Sequence, residues 1–254
     1  MPRFIYNQKE RTLAIPFPDV ESYLKARAEL VEAQNETRFD SGMVLSPAEE
    51  LVNARLIRLR NQEIARYKAG VPFPPALYFP DVKGAIEASP LFPILKVMPK
   101  GAVLHLHSSS ISSPEALLEL TYLDNLYMYT GRAGLYGQLQ FYGPGQVPSG
   151  WEPVSALRAG TPDFDQQLLK LLTIGPEGQF DPDIWRRFEA IFTRIGGLVS
   201  YQPAFIRLYQ RALTEYLNDN IQHIEIRSGL GNLYDLEGHT YNAESVLDIT
   251  RRIL

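Results

Sequence analysis

Cysteine is absent from all 254 residues. That excludes disulfides, thiolate nucleophiles and sulfur metal ligands, so any metal must be held by His, Asp or Glu. It mildly favours a reducing compartment without fixing one. Lysine and arginine never gather into a block and the formal net charge is -4, which disfavours nucleic acid or an anionic membrane as partner. No apolar run reaches the roughly 18 residues of a membrane span. The opening MPRFIYNQKERTLAIPFP has scattered charges and no signal-type apolar stretch. With 45% hydrophobic and 21% charged residues, the composition is that of an ordinary globular protein, one large domain or a domain with an appendage.

Residues 1–18 read as an extended arm, because Pro16 and Pro18 oppose a helix. A helix is expected from Val20 to Ala33. A second follows the capping box Ser46-Pro47-Ala48-Glu49, carries Leu51, Ala54, Leu56, Leu59 and Ile64 at helical spacing, and stops at Gly70. VPFPPALYFP, residues 71–80, is a proline-rich linker, and a short helix is expected at 82–89. Ala102 to His107 reads as a buried strand, and Ser113-Pro114-Glu115 opens a helix. Glycine-rich residues 130–160 read as a long loop or hairpin insert; their spacing is not that of a phosphate loop. DIWRRFEAIFTRIGGL reads as a helix ended by Gly196-Gly197, followed by a helix at 203–218, a strand at 220–227 and a helix from Asn242. This order favours βα repeats with a parallel sheet.

Two of the four histidines stand one residue apart in MPKGAVLHLHSSS, residues 98–110. On a strand, His105 and His107 project to one face with Leu106 on the other. Two such imidazoles can chelate one zinc, but a catalytic zinc takes at least three protein ligands. A structural pair remains an equal reading of the spacing alone. His223, on the second strand, and His239, in a Gly-His-Thr loop, are read as surface residues and not as ligands.

MPKGAVLHLH resembles the Met-Pro-Lys-Gly, apolar run and His-x-His motif of the adenosine deaminase-related growth factors. WRRFEAIFTRIGGL resembles that family's Trp-x-x-Phe-Glu-x-Ile-Phe segment, NDNIQHIEIR its second barrel strand, and the helices at 20–70 with the proline-rich run its N-terminal dimerisation region. The resemblance implies an α/β fold: the first units of a (β/α)8 barrel over 81–254, with the insert at 130–160, preceded by a helical dimerisation region over 1–80. It implies a Zn2+ cofactor held in part by His105 and His107, and a nucleoside pocket bordered by Trp185, Phe188, Glu189 and Phe192. It implies deamination of adenosine or 2′-deoxyadenosine, a homodimer, and no nucleic-acid or membrane partner. From spacing alone, Trp185, Phe188 and Phe192 read as a core stripe; with the resemblance the two readings are even.

Ser108 stands where the family often has an acidic substrate contact. The family's cysteines, later metal-ligating His, proton-donating Glu and paired Asp have no counterpart, so the chain is expected to be a fragment inactive alone, exposing an apolar strand edge. No residue of this chain is assigned the general acid. A non-enzymatic dimerising module and another metal-dependent hydrolase are the rival readings. Localisation stays open between the family's extracellular habit and the absence of a visible leader.

Overall fold

Capping chemistry and proline set where the first helices begin. Asp19 accepts from the Ser22 amide at 2.6 Å and starts α1, Val20–Thr37. At α2, Pro47–Lys68, Ser46 and Glu49 cap each other: the Ser46 amide donates to Glu49 Oε2 at 2.7 Å and the Glu49 amide to Ser46 Oγ at 3.4 Å. α1 runs one turn beyond the expected Ala33. The computed structural model describes residues 5–7, 12–14, 17–131, 135–175 and 181–253. They divide into two compact units, 1–61 and 62–254.

In the first unit, β1, Ile5–Asn7, pairs antiparallel with β2, Thr12–Ala14. α1 buries none of its residues and α2 buries only Leu59, while Leu24, Leu30, Leu51 and Val52 stay exposed.

The second unit opens with α3, Phe79–Glu87, and α4, Phe92–Val97, each with a proline in its first turn. β3, Gly101–His107, leads to α5, Pro114–Leu120. β4, Leu126–Tyr129, is flanked by β5, Leu139–Phe141, and β6, Trp151–Pro153, in a three-stranded antiparallel sheet of order β5-β4-β6. α6, Val154–Gly160, α7, Phe164–Leu172, α8, Ile184–Val199, and α9, Gln202–Asn218, follow. β7, Ile221–Arg227, returns to pair in parallel with β3. A hairpin of β8, Leu233–Tyr234, and β9, Thr240–Tyr241, precedes α10, Ala243–Ile253.

The glycine-rich segment is therefore more than a loop. Gly137, Gly145 and Gly150 take positive φ of 85°, 75° and 87° and turn the chain between strands too short to give a periodic signal. This sheet forms one wall of the core: Leu126, Met128, Leu139 and Phe141 are buried with Leu168, Ile195, Leu198, Leu208 and Tyr209. Gly196-Gly197 does not end α8, which continues to Val199. Helix α8 crosses β5 so closely that a Cβ on Gly197 would overlap the Gln140 side chain and the Leu139 carbonyl. That pair of glycines serves approach, not termination. β3 and β7 add only half-buried Leu106 and Ile226 to the core, and Leu104 is exposed.

Candidate metal centre and its adjoining cavities

The Pro-Lys-Gly before the histidines anchors the strand. Lys100 Nζ donates to the carbonyls of Lys96 at 2.9 Å, Met98 at 3.2 Å and Asp219 at 2.7 Å, and lies 3.2 Å from the Asp219 carboxylate. One ammonium thus joins the ends of α4 and α9 where β3 and β7 begin. Gly101 follows at φ 71°, a conformation that suits glycine.

At the other end of β3 the two imidazoles converge, with His105 Nε2 3.1 Å from His107 Nε2 and ring centroids 5.0 Å apart. Zn–N bonds of about 2.0–2.1 Å at a tetrahedral angle put two donor nitrogens about 3.3 Å apart. The pair fits two corners of such a site. The same separation serves an N–H···N bond between neutral rings. Among the described residues, no cluster of three ligand-type side chains includes either histidine. The β3–β7 register slips between Val103 and Leu106, and the Leu104 carbonyl at that slip accepts from Arg227 Nη2 at 2.8 Å. Glu225 Oε2 holds the same guanidinium at 2.9 Å, and His223 Nε2 is 3.6 Å from Glu225 Oε1.

A cavity of about 250 Å3 opens at the C-terminal ends of β3 and β7, lined in part by Ser108, Ser109, Ser228, Gly229 and Phe205. Barrel enzymes build their sites at that end of parallel strands. Burial pushes the Tyr209 phenol up, while Ser228 and Ser108 act in the opposite direction.

A second, mostly apolar cavity of about 330 Å3 adjoins the same loop, bordered by Ser109, Ser110 and Ser112 with Phe188 and Phe192. Trp185, Phe188 and Phe192 form an edge-to-face series with centroids 6.1 and 5.0 Å apart. They are not a core stripe: Trp185 is 76% and Phe188 42% exposed, while Ile195 and Leu198 do the burying. Trp185 and exposed Glu189 do not line this cavity.

The sequence reading passed over one group of ligand-type residues. Asp235, Glu237 and His239 bring donor atoms within 4.8 Å of one another. Asp235 accepts from the Glu237 and His239 amides at 2.9 Å each, from Tyr241 Oη at 3.0 Å, and contacts His239 Nδ1 at 2.8 Å. Burial works to raise this carboxyl, but these bonds outweigh it and hold it at about 2. The Asp235 carboxylate raises His239 in turn. The carboxylate is spent on clasping the β8–β9 turn, and Asp-x-Glu-x-His spacing was its only sequence signal.

Residues 9–95 match the family model described as adenosine/AMP deaminase N-terminal. The adenosine deaminase of Phlebotomus duboscqi is 33% identical over 250 residues, covering 92% of this chain and 48% of that protein. Adenosine deaminase 2 of Homo sapiens is 33% identical over 233 residues, covering 87% and 45%. Adenosine deaminase 2 of Dictyostelium discoideum is 32% identical over 235 residues, covering 89% and 43%. The chain spans about half the length of the curated relatives it matches.

Proposed function

Because this chain belongs to the adenosine deaminase-related growth factor family and corresponds to its N-terminal part, we propose that it carries the first metal ligands and the nucleoside-facing wall of an adenosine deaminase. The reaction replaces the 6-amino group of adenosine or 2′-deoxyadenosine with oxygen from water, giving inosine or deoxyinosine and ammonia. The observation that carries this reading is the convergence of His105 and His107 Nε2 to 3.1 Å at the end of β3, directly before Ser108 of the cavity lining. Zinc bound there supplies Lewis acidity that brings the pKa of water toward neutrality.

The chain's own residues bind and orient. Phe188 and Phe192 offer ring faces and edges to a purine, with Trp185 at the outer end of the series. Glu189 accepts from ribose or base donors, and Ser108 contributes a hydroxyl without charge. Residues 81–254 are the opening units of the barrel, and residues 1–80 the dimerisation region, whose exposed Leu24, Leu30, Leu51 and Val52 pack on a second copy. Two histidines fall short of the three ligands of a catalytic zinc, so this chain alone binds metal and nucleoside and does not turn substrate over. A dimerising module without any nucleoside site is the second reading, supported by the same exposed residues of α1 and α2.

Adenosine titrated into the zinc-loaded chain separates the two readings, with Trp151→Phe leaving Trp185 as the reporter. A saturable fluorescence change that requires His105 and His107 is expected. No response at saturating zinc, or a response indifferent to loss of the histidines, overturns the proposal.

A further inference from the structure

The segment Ser108–Ser113 runs directly from the second histidine of the pair, and Ser109 lines both cavities. It is thus the partition between them. Its position is set from α9, about a hundred residues away in sequence. Glu215 Oε2 accepts from Ser112 Oγ at 2.8 Å and from the Ser113 amide at 3.1 Å, and Glu215 Oε1 accepts from Ser113 Oγ at 2.7 Å. Arg211 Nε holds the same carboxylate at 3.0 Å from the preceding turn of the helix. The neighbouring Tyr216 hydroxyl donates to the Ile111 carbonyl at 2.6 Å, and the Ile111 side chain is buried. Burial favours the neutral acid at Glu215, yet Ser113, Ser112 and Arg211 together keep the carboxyl below its ordinary value.

A segment with five serines, Ser108, Ser109, Ser110, Ser112 and Ser113, has little apolar surface to hold it down, and Ile111 is its one buried anchor. Charge-assisted bonds are about twice as strong as neutral ones and directional. A carboxylate that engages the far end of the loop three times fixes its length and path. We propose that Glu215 is a positioning residue for the candidate metal centre: it clamps the partition after His107 and thereby fixes the His pair and both cavity walls. This rests on the reading of the His pair given above.

The test compares the chain with Glu215→Ala, Glu215→Gln and Ser112→Ala, the last altering the loop and leaving α9 intact. Hydrogen exchange over 108–113 reads the clamp, and competition with a chromophoric chelator reads zinc affinity. In Glu215→Ala, exchange across 108–111 is expected to rise about tenfold, the scale of a lost bond to a charged group. The zinc dissociation constant is expected to rise about threefold to tenfold, at or below the range for groups that contact a ligand directly. Exchange in β4–β6 stays unchanged. Glu215→Gln, which keeps an acceptor, and Ser112→Ala fall between. Acceleration confined to the Ser113 amide with unaltered zinc affinity overturns the proposal, and should Glu215→Ala fail to fold, the same result in Ser112→Ala does so. If the unaltered chain binds zinc elsewhere than at the His pair, the metal reading fails instead, and exchange over 108–111 alone decides the clamp.

Discussion

Adjacent glycines in α8 should respond to the same substitution with opposite signs. A methyl on Gly197 meets the Gln140 side chain and the backbone oxygen of Leu139. The glutamine can swing aside; the carbonyl belongs to β5 and cannot. Nor can the helix roll away freely, since the Gly197 carbonyl accepts from half-buried Tyr234 Oη at 2.8 Å. Overpacking of this kind costs about 3 kcal/mol at the upper end, and alanine returns about 1 kcal/mol of helix propensity. The net loss of about 2 kcal/mol lowers Tm by about 4–8 °C for a chain of this size. At Gly196 an added Cβ meets nothing within 4 Å, so Gly196→Ala keeps only the propensity gain and raises Tm by about 2–4 °C. Thermal unfolding followed by circular dichroism at pH 7 reads both. Shifts of the same sign, or a neutral Gly197→Ala, would refute the argument that α8 and β5 are in backbone contact.

Arg158 donates to Asp165 Oδ1 at 2.8 Å and to buried Thr121 Oγ1 at 2.8 Å while stacking 3.9 Å from the Tyr122 ring centroid. Arg158→Ala should cost about 1–2 kcal/mol in urea unfolding. Lys100→Met should cost about 1 kcal/mol by removing the charged donor shared by three carbonyls, and should loosen the pairing of Gly101 with Ile221 in hydrogen exchange. The Asp235–His239 pair carries two pH dependences of opposite sign. Asp235 sits at about 2 when folded, so its contribution is full above the ordinary aspartate value of about 3.9 and is lost as pH falls toward 2. His239 is raised when folded, so its contribution is full below the ordinary value of about 6.5 and is lost as pH rises through the folded pKa. In Asp235→Asn, an NMR titration of His239 should fall back to about 6.5; an unmoved titration would mean the pair is not coupled.

Helix starts were legible where they rest on local chemistry: the Ser46–Glu49 box and the prolines of α5 and α9 act within one turn. The start of α3 was not, since it begins at Phe79, inside the stretch read as a linker, and uses Pro80 in its first turn. The two parallel strands were legible from apolar runs and alternation. The β5-β4-β6 sheet was not, since strands of three or four residues joined by glycine turns leave no period to detect. The run of α8 past Gly196-Gly197 was hidden for a related reason, because the need for a bare backbone comes from β5, distant in sequence. At the site, His-x-His spacing gave the pair, but the hold of Glu215 on Ser112 and Ser113 joins residues about a hundred positions apart and has no local signature. Trp185, Phe188 and Phe192 carried a helical spacing that suggested burial, and two of them are exposed.

The most direct test of the central claim is zinc X-ray absorption with metal counting, on the chain and on two variants. The account predicts histidine coordination that disappears when His105 and His107 are replaced by alanine and persists when Asp235 and His239 are replaced. Zinc retained without the His105–His107 pair, or released on loss of Asp235 and His239, would contradict it and move the metal centre to the β8–β9 turn.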